Sequence, residues 1–517
     1  MQVEARRADQ GSPAIVAAGV LVILGVALTL RLPLLAGGQI DYDEGVYWQS
    51  LRALAAGHPL FTSVYSSQPP AFLELLAPVH LLAGNSLVAG RGTVLAMATV
   101  GLVAVYPTVA LLANRGAALL AMAVLAADPL SLRQSVTLQA DGPCVYLALM
   151  ALAAATAARV ARDRDHLAHP GGTARTRRPP PSSLALLAGA LLALAVLTKL
   201  LAVAALPAVA AMLAAPGIGP TSADGRRASH GVAWGRALRD LGAAGAGGML
   251  TTAAILAPYA GAWRQLWHQT VSLHLGARAL TVGGLTEGDL LRELPLLLLG
   301  LTGLLGFVLS SRSAVLLEPT RAPASRAPLL VMASGSWAVA AALLLALQRP
   351  LWPHHVIVLV APLALLAGGL APLLGRVPAR GIVVATLGMA TILSSVASFA
   401  YVRSLQQPPT TRQATVAALQ STTSPGEPVV TDDQFAAALA NRDTPPELVD
   451  TSEVRVESGD LTASQVEAII QGDHVRAVLL ATDRLERLPG LQAWLQRHFP
   501  TRRRIGGSGV LYLRPTA

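Results

Sequence analysis

The chain opens with an apolar run at residues 13–35, PAIVAAGVLVILGVALTLRLPLL, and a polar stretch, DYDEGVYW, follows at residues 41–48. Arg31 is the only charged residue of the run, which is long enough to cross a bilayer as a helix. The run is longer than the apolar part of a signal peptide, and Arg6 and Arg7 precede it. The sequence therefore predicts a retained first membrane helix with a cytoplasmic N-terminus and residues 41–48 outside.

Composition extends this interpretation to most of the chain. Of its 517 residues, 53% are hydrophobic and 13% are charged, whereas about 25% are charged in a typical soluble protein. The mean hydropathy is +0.53. The charged residues crowd into a few segments and leave long runs of alanine, leucine, valine and glycine between them. This pattern predicts an α-helical polytopic membrane protein.

The net charge of +10 does not indicate nucleic-acid binding. The arginines lie in short loops between apolar runs, where positive charge orients helices in a membrane, and only 4% of the residues are aromatic. The expected partner is therefore the lipid bilayer, and no nucleic acid is expected. The only cysteine, Cys144, lies in an apolar stretch and leaves no intramolecular disulfide possible.

Apolar runs of suitable length predict about eleven transmembrane helices. They cover residues 13–35, 86–113, 116–135, 141–161, 184–199, 200–215, 240–260, 294–311, 328–348, 355–374 and 381–402. Four connections between them are rich in arginine and are expected to be cytoplasmic, namely 162–183, 216–239, 312–327 and 375–380.

The short apolar segment 69–83 decides the topology. It carries Glu74 and His80. If it crossed the membrane, the basic loop 162–183 would fall outside; if it lies flat at the outer interface, all four basic loops fall inside. We therefore predict interfacial helices at 69–83 and 46–57.

The last part of the chain has the composition of a soluble domain. Strands are predicted at 428–431, 475–481 and 510–513, and helices at 462–471 and 491–498. The sequence thus predicts a transmembrane domain, residues 1–402, and a small extracytoplasmic α/β accessory domain, residues 403–517.

Acidic residues gather on the predicted outer face. Asp43 and Glu44 follow the first helix, and Asp141 begins the predicted helix 141–161. Carboxylates at a membrane edge are costly to desolvate, so they need water, a cation or a function. The alternative at both positions is a structural role, because Asp43 and Asp141 each lie at a predicted helix N-terminus and could simply cap it.

The order of these features resembles the GT-C glycosyltransferases, and within them the protein O-mannosyltransferase and aminoarabinose-transferase branch. The resemblance covers roughly residues 13–402. It rests on Asp43 and Glu44 after the first helix, Gln68-Pro69-Pro70, Arg91, Asp141, the run 195–199 ending in Thr198-Lys199, Trp263 after Pro258-Tyr259, and Trp352-Pro353-His354-His355. In the family a proline commonly follows the lysine, and here Leu200 does.

The resemblance implies an inverting glycosyltransferase of the bacterial cell membrane. The family takes its sugar from a polyprenyl-phosphate donor at the outer leaflet, and the acceptor here would be a glycan, a protein or a lipid. A carboxylate in the first outer loop acts as general base or orients the acceptor. Asp43 matches that position best, with Glu44 beside it and Asp141 on the same face. Deprotonating the incoming hydroxyl strengthens its attack on the anomeric carbon.

Cations are expected near the leaving phosphate, because it gains negative charge. Lys199 is the first candidate for this donor-phosphate site and Arg91 the second, and His354 and His355 could also hydrogen-bond to it. The alternatives to phosphate binding are roles at the membrane interface. Lys199 could snorkel, Arg91 could anchor a helix end, and the two histidines could lie beside a belt tryptophan.

Two further expectations follow from the resemblance. Candidate contacts to the sugar or the acceptor are Tyr47, Trp48, Gln68 and Trp263, although aromatic belts at membrane interfaces also explain such aromatic residues. Some relatives use a divalent metal, and Mg²⁺ or Mn²⁺ could be held by the carboxylates of Asp43, Glu44 and Asp141.

Two other classes of function compete with the enzyme. A transporter would place ionisable residues or broken helices at mid-membrane and show repeated halves. The predicted spans are instead nearly free of charge at their centres, and no internal repeat is found in the sequence. A non-catalytic membrane scaffold that presents residues 403–517 is the third class, and in it Asp43 and Asp141 would be dispensable.

We expect residues 170 and 450 to lie on opposite faces of the membrane. Reporters or cysteines introduced near each position test this with a membrane-impermeant reagent in intact cells. The reagent should reach the site near 450 directly and the site near 170 only after permeabilisation. Labelling of both sites from outside would contradict the predicted topology.

Overall fold

The structure, a computed structural model, describes residues 13–167, 179–215, 230–280, 283–317, 326–371, 380–406, 410–505 and 509–514. The chain is a polytopic helical membrane protein with a small mixed sheet near its C-terminus. The four basic loops predicted to be cytoplasmic lie wholly or partly outside the described residues.

Sixteen helices are described in the membrane part, up to residue 405. They are α1 (Pro13–Arg31), α2 (Asp43–Ala55), α3 (Ala71–Ala83), α4 (Leu87–Leu112), α5 (Arg115–Ala127), α6 (Pro129–Gln134), α7 (Asp141–Leu167), α8 (Pro181–Thr198), α9 (Leu206–Ala214), α10 (His230–Leu256), α11 (Trp263–Trp267), α12 (Leu273–Gly276), α13 (Glu287–Leu317), α14 (Ala327–Leu347), α15 (Ile357–Ala367) and α16 (Arg380–Leu405). Short 3₁₀ turns precede α9, α11 and α15, at Leu200–Ala205, Ala257–Ala262 and Pro353–Val356.

Seven helical segments among the described residues are long and apolar enough to cross a membrane. They are Pro13–Leu34, Leu87–Leu112, Asp141–Arg164, Pro181–Thr198, Trp234–Ala279, Glu287–Leu309 and Ala327–Leu347. The other four predicted spans are also largely helical where they are described, but three of them hold only shorter apolar helices. The total of eleven spans therefore stays a prediction.

Prolines interrupt two of the predicted spans. The segment 116–135 divides because α5 ends at Ala127 and Pro129 follows two residues later. Asp128 then caps α6 by accepting a hydrogen bond from the Ser131 N–H at 2.7 Å. The segment 200–215 begins as a 3₁₀ turn, and α9 starts only at Leu206, beside Pro207.

The helix α7 lies at the centre of the membrane part and packs against α4, α8 and α9. Small residues allow this close packing: a Cβ placed on Gly101 of α4 would lie only 2.7 Å from the Cβ of Tyr146. In lipid, such van der Waals contact between backbones is a main source of helix association. The packing fixes the N-terminus of α7, where Asp141 lies.

The C-terminal domain contains five helices and four strands in the described residues. They are α17 (Thr410–Thr422), β1 (Val429–Thr431), α18 (Gln434–Leu439), α19 (Glu453–Glu457), α20 (Ala463–Gly472), β2 (Ala477–Leu480), α21 (Leu491–His498), β3 (Thr501–Ile505) and β4 (Gly509–Leu513). The sheet order is β1-β2-β4-β3, with β1 and β2 parallel and the other neighbours antiparallel.

The three predicted strands and two predicted helices of this domain are present, and Thr462 and Gln465 form the expected capping box of α20. The strand β3 was not predicted. Its sequence, TRRRI, lacks an apolar alternation, because β3 is an edge strand whose first four residues are exposed.

Candidate functional site

A cavity of about 590 Å³ lies between the membrane part and the C-terminal domain. Its walls come from segments distant in sequence. They include residues 40–43 before and at the start of α2, residues 199–203 after α8, residues 270–278, the segment 348–355 before α15, and residues 450–454. The predicted outer loops therefore meet around one space.

Asp43 is the first residue of α2, and it lines this cavity. Its Oδ2 atom accepts a hydrogen bond from the side-chain amide of Gln139 at 3.0 Å. Burial raises the pKa of Asp43 to about 6, and the negative charge of Asp41 contributes to the increase. A carboxylate with a pKa close to the working pH is suited to accept a proton.

Asp41 also lines the cavity, although the sequence had not marked it as a site residue. Its Oδ2 atom lies 2.6 Å from a guanidinium nitrogen of Arg133 and 3.4 Å from Nδ1 of His354. Burial alone would raise the pKa of Asp41, but His354 and Arg133 lower it well below its usual range. Asp41 therefore stays ionised, and its charge opposes the ionisation of Asp43.

Asp141 and Lys199 form a buried ion pair. The Lys199 Nζ atom lies 2.7 Å from Oδ2 of Asp141, and Lys199 also lines the cavity. Asp141 begins α7, and Lys199 follows the last residue of α8, so the contact between these two helices brings the charges together. The Oδ1 atom of Asp141 is buried and has no hydrogen-bond partner among the described residues.

Glu44 and Arg91 do not line the cavity, contrary to the catalytic, metal and phosphate roles predicted for them. They form a two-pronged ion pair with both contacts at 2.8 Å, and neither side chain is exposed. The Glu44 carboxylate also accepts hydrogen bonds from the backbone N–H groups of Ile40 and Leu138. With its oxygens used in this way, Glu44 is left without a free oxygen for a metal, and the pair joins the segment between α1 and α2 to α4.

Two of the predicted aromatic contacts are packing residues. Tyr47 lies with its ring edge against Phe72, with 4.8 Å between ring centroids. The Trp48 ring packs against Phe435 of the C-terminal domain, with 5.6 Å between ring centroids. Both side chains are buried, and neither lines the cavity. Because α2 is buried on most of its sides, both rings lie in the interior, which the sequence alone did not distinguish from a sugar-binding face.

Trp263 is also absent from the cavity wall. It is 49% exposed and lies beside Trp267, with 6.2 Å between the rings, as expected of tryptophans at a membrane interface. Of the four predicted sugar or acceptor contacts, Gln68 alone lines the cavity.

His354 and His355 line the cavity, and with Asp141 they form a buried group that could hold a metal ion. One ligand atom from each of the three lies within 4.8 Å of the others. Imidazole ligands favour zinc or another transition metal over magnesium. This set shares only Asp141 with the predicted one: Asp43 is not among the three, and Glu44 is paired with Arg91. Lys199 already supplies a positive charge to Asp141.

Several cavity residues were missed by the sequence reasoning. They are Asp41, Arg133, His274, Arg278, Arg349, Ser452 and Arg484. Asp450 also lines the cavity, at a position to which the sequence assigned no catalytic role. Ser452 and Arg484 reach the cavity only through the tertiary approach of the C-terminal domain, which no local pattern reveals.

Comparison with solved structures defines the fold. ArnT from Cupriavidus metallidurans, bound to undecaprenyl phosphate, aligns with a TM-score of 0.61 and 14% identity over 95% of this chain and 97% of that chain. The archaeal oligosaccharyltransferase AglB from Archaeoglobus fulgidus, in complex with an inhibitory peptide and a dolichol-phosphate, aligns with a TM-score of 0.52 and 13% identity. That alignment covers 94% of this chain and 72% of AglB.

The chain has the GT-C fold. Because the alignment with ArnT spans nearly all of both chains, the similarity includes the C-terminal domain. No family model matches the sequence, and no curated protein sequence matches it. The likeness to these structures is one of fold, at 13–14% sequence identity.

The Glu44–Arg91 pair should be essential for folding. We expect Glu44→Gln to lower the free energy of unfolding by about 3–5 kcal/mol, because it leaves the Arg91 guanidinium buried without a counter-charge. Thermal unfolding of the purified protein in detergent measures the loss. The matched control is Asp443→Asn, which removes an exposed partner of Arg52 and should cost at most about 1 kcal/mol. Equal stability of the two variants would contradict the structural role.

Proposed function

We propose that this chain is a membrane glycosyltransferase that moves a sugar from a polyprenyl-phosphate carrier to an acceptor on the extracytoplasmic face. The observation that carries the proposal is a single cavity lined by both Asp43, a carboxylate with a raised pKa, and Lys199, a buried ammonium group. A base for the acceptor and a cation for the leaving phosphate are the two groups that this reaction requires.

The GT-C fold supports this proposal. In the solved structures, ArnT holds undecaprenyl phosphate and AglB holds dolichol-phosphate, which are both polyprenyl-type phosphates. The membrane part, residues 1–402, would bind such a donor and carry the catalysis. The C-terminal domain, residues 403–517, would then lie outside a bacterial cell membrane.

In the proposed reaction, Asp43 accepts the proton of an acceptor hydroxyl while that oxygen attacks the anomeric carbon. The bond between the sugar and the phosphate oxygen breaks on the opposite side, so the anomeric configuration inverts and the lipid phosphate leaves. The amide of Gln139 orients the Asp43 carboxylate for this step. Asp41, held by Arg133, keeps the pKa of Asp43 high enough for efficient proton transfer.

Lys199 would neutralise the charge that develops on the leaving phosphate, and Asp141 would hold Lys199 in place. His354 and His355 lie in the same wall and can donate hydrogen bonds from their rings. A metal ion bound by Asp141 and the two histidines would add positive charge at this position.

The cavity wall also includes apolar residues suited to a lipid carrier. Leu200 and Val203 follow Lys199, line the cavity and are 40% and 44% exposed. In a membrane protein, such exposed apolar side chains face lipid. A polyprenyl chain could therefore extend past them into the bilayer while its phosphate contacts Lys199.

Asp43→Asn and Asp43→Ala should abolish transfer. Loss of a general base lowers the rate by roughly 10²–10⁴-fold. In the wild type, the carboxylate must be ionised, so transfer should rise between about pH 5 and pH 7 as Asp43 loses its proton. Membranes given radiolabelled polyprenyl-phosphate sugars measure both effects, with the exposed Asp473→Asn as control. Full transfer by both Asp43 variants at normal protein levels would remove Asp43 from this role.

Lys199→Met should weaken donor use more than acceptor use, because it removes the positive charge at the phosphate site. An increase of about 10-fold or more in the apparent KM for the donor is expected. The double variant Lys199→Met/Asp141→Asn keeps the buried site neutral and shows whether folding is the cause. Mass spectrometry of co-purifying lipid gives a direct readout, since less polyprenyl phosphate should remain bound. Unchanged donor affinity would refute the phosphate assignment.

A further inference from the structure

The helix α2, which begins at Asp43, lies against the C-terminal domain. Gly45 makes the closest approach: a Cβ at this position would overlap the backbone nitrogen of Phe435 and lie 3.0 Å from its Cα atom. One turn later, Trp48 packs its ring against the ring of Phe435. Only a glycine at position 45 allows the two backbones to come this close.

Polar contacts extend the interface between α2 and the C-terminal domain to the last turn of the helix. The Gln49 amide donates a hydrogen bond to the backbone carbonyl of Arg442 at 2.9 Å, and Gln49 is buried. Arg52 donates to the Asn441 side chain at 2.9 Å and pairs with Asp443 at 2.6 Å. The segment 434–443 of the C-terminal domain therefore contacts α2 along most of its length.

The residue before Asp43 is held by the same domain through a different segment. The Tyr42 hydroxyl accepts a hydrogen bond from the Thr451 backbone N–H at 3.0 Å. The guanidinium of Arg484 lies over the Tyr42 ring, 3.9 Å from its centroid. Such a contact between a cation and an aromatic face is attractive. Tyr42 is thus fixed on two sides between Asp41 and Asp43, which both line the cavity.

The opposite contacts of α2 are with the membrane part. Glu44 is paired with Arg91 of α4, and Tyr47 packs on Phe72 of α3. The helix is therefore enclosed between two bodies, and the place of its first residue, Asp43, depends on both. A shift of about 1 Å in a reacting group can reduce a rate by roughly 10²-fold.

We propose that the C-terminal domain is a positioning element of the catalytic centre. Through Gly45 and Tyr42, it holds α2 so that the Asp43 carboxylate faces the acceptor in the cavity. Gly45 and Tyr42 are positioning residues, because they act through Asp43. This inference rests on the proposed role of Asp43 as base, and it gives the domain a part in the chemistry.

The variant Gly45→Ala tests the inference with a single methyl group. It changes no polar or charged atom, but it pushes α2 away from Phe435. The matched control is Gly92→Ala in α4, where an added Cβ would meet no atom within 4 Å. Alanine is the better helix former at both positions, so a loss confined to Gly45→Ala reports the domain contact.

We expect Gly45→Ala to lower kcat by about 10–100-fold while the donor KM changes little, because the phosphate contacts lie on other elements. Gly92→Ala should behave as the wild type.

Tyr42→Phe provides a second, milder test. It removes the hydroxyl that contacts Thr451 and keeps the ring under Arg484, so kcat should fall by a smaller factor without loss of folding. If Gly45→Ala fails to fold, Tyr42→Phe tests the inference by itself. An unchanged kcat of Tyr42→Phe then overturns the inference.

Two failures can be told apart. Wild-type kcat in folded Gly45→Ala, together with an inactive Asp43→Asn, would overturn the positioning role and leave the proposed reaction intact. Transfer that survives in Asp43→Asn would instead remove the base itself. Binding of polyprenyl phosphate by each purified variant confirms that the donor site is still formed.

Discussion

The site depends on the buried ion pair between Glu44 and Arg91. Neither side chain is exposed, and the Glu44 carboxylate also accepts two backbone hydrogen bonds, from Ile40 and Leu138. Arg91 donates in addition to the backbone carbonyls of residues 35, 37 and 38. Two buried charges are tolerated together only when such contacts satisfy them. The pair thereby joins the segment between α1 and α2, α4 and the segment before α7 into one unit.

This unit explains why one carboxylate differs from its neighbours. Asp41 is paired with Arg133, Glu44 with Arg91 and Asp141 with Lys199. Asp43 has no ion pair among the described residues and receives a hydrogen bond from the neutral amide of Gln139. Burial beside the charge of Asp41 therefore raises its pKa. Asp43 is thus the carboxylate of this group most easily protonated during a reaction, because no cation forms an ion pair with it among the described residues.

How far the site could be predicted depends on how far apart in sequence the residues of each contact lie. Asp43, Lys199, His354 and His355 could be selected from sequence because they stand at the ends of apolar runs and match motifs of the GT-C resemblance. Glu44 and Arg91 match the same motifs, yet they pair with each other across 47 positions of sequence. A motif specifies the residue type at a position but not its contact partner. The acid of a buried ion pair and a catalytic acid are therefore indistinguishable in sequence.

The sequence by itself determined the membrane class, the positions of the apolar helices and most of the small C-terminal domain, because hydrophobic length and period are local properties. Only the tertiary structure decided which polar residues share the cavity and that the C-terminal domain docks on α2. These features arise from contacts such as Gly45 with Phe435 and Tyr42 with Thr451. Such contacts join residues about 400 positions apart, and their energy depends on distance in space, which composition and local pattern do not encode.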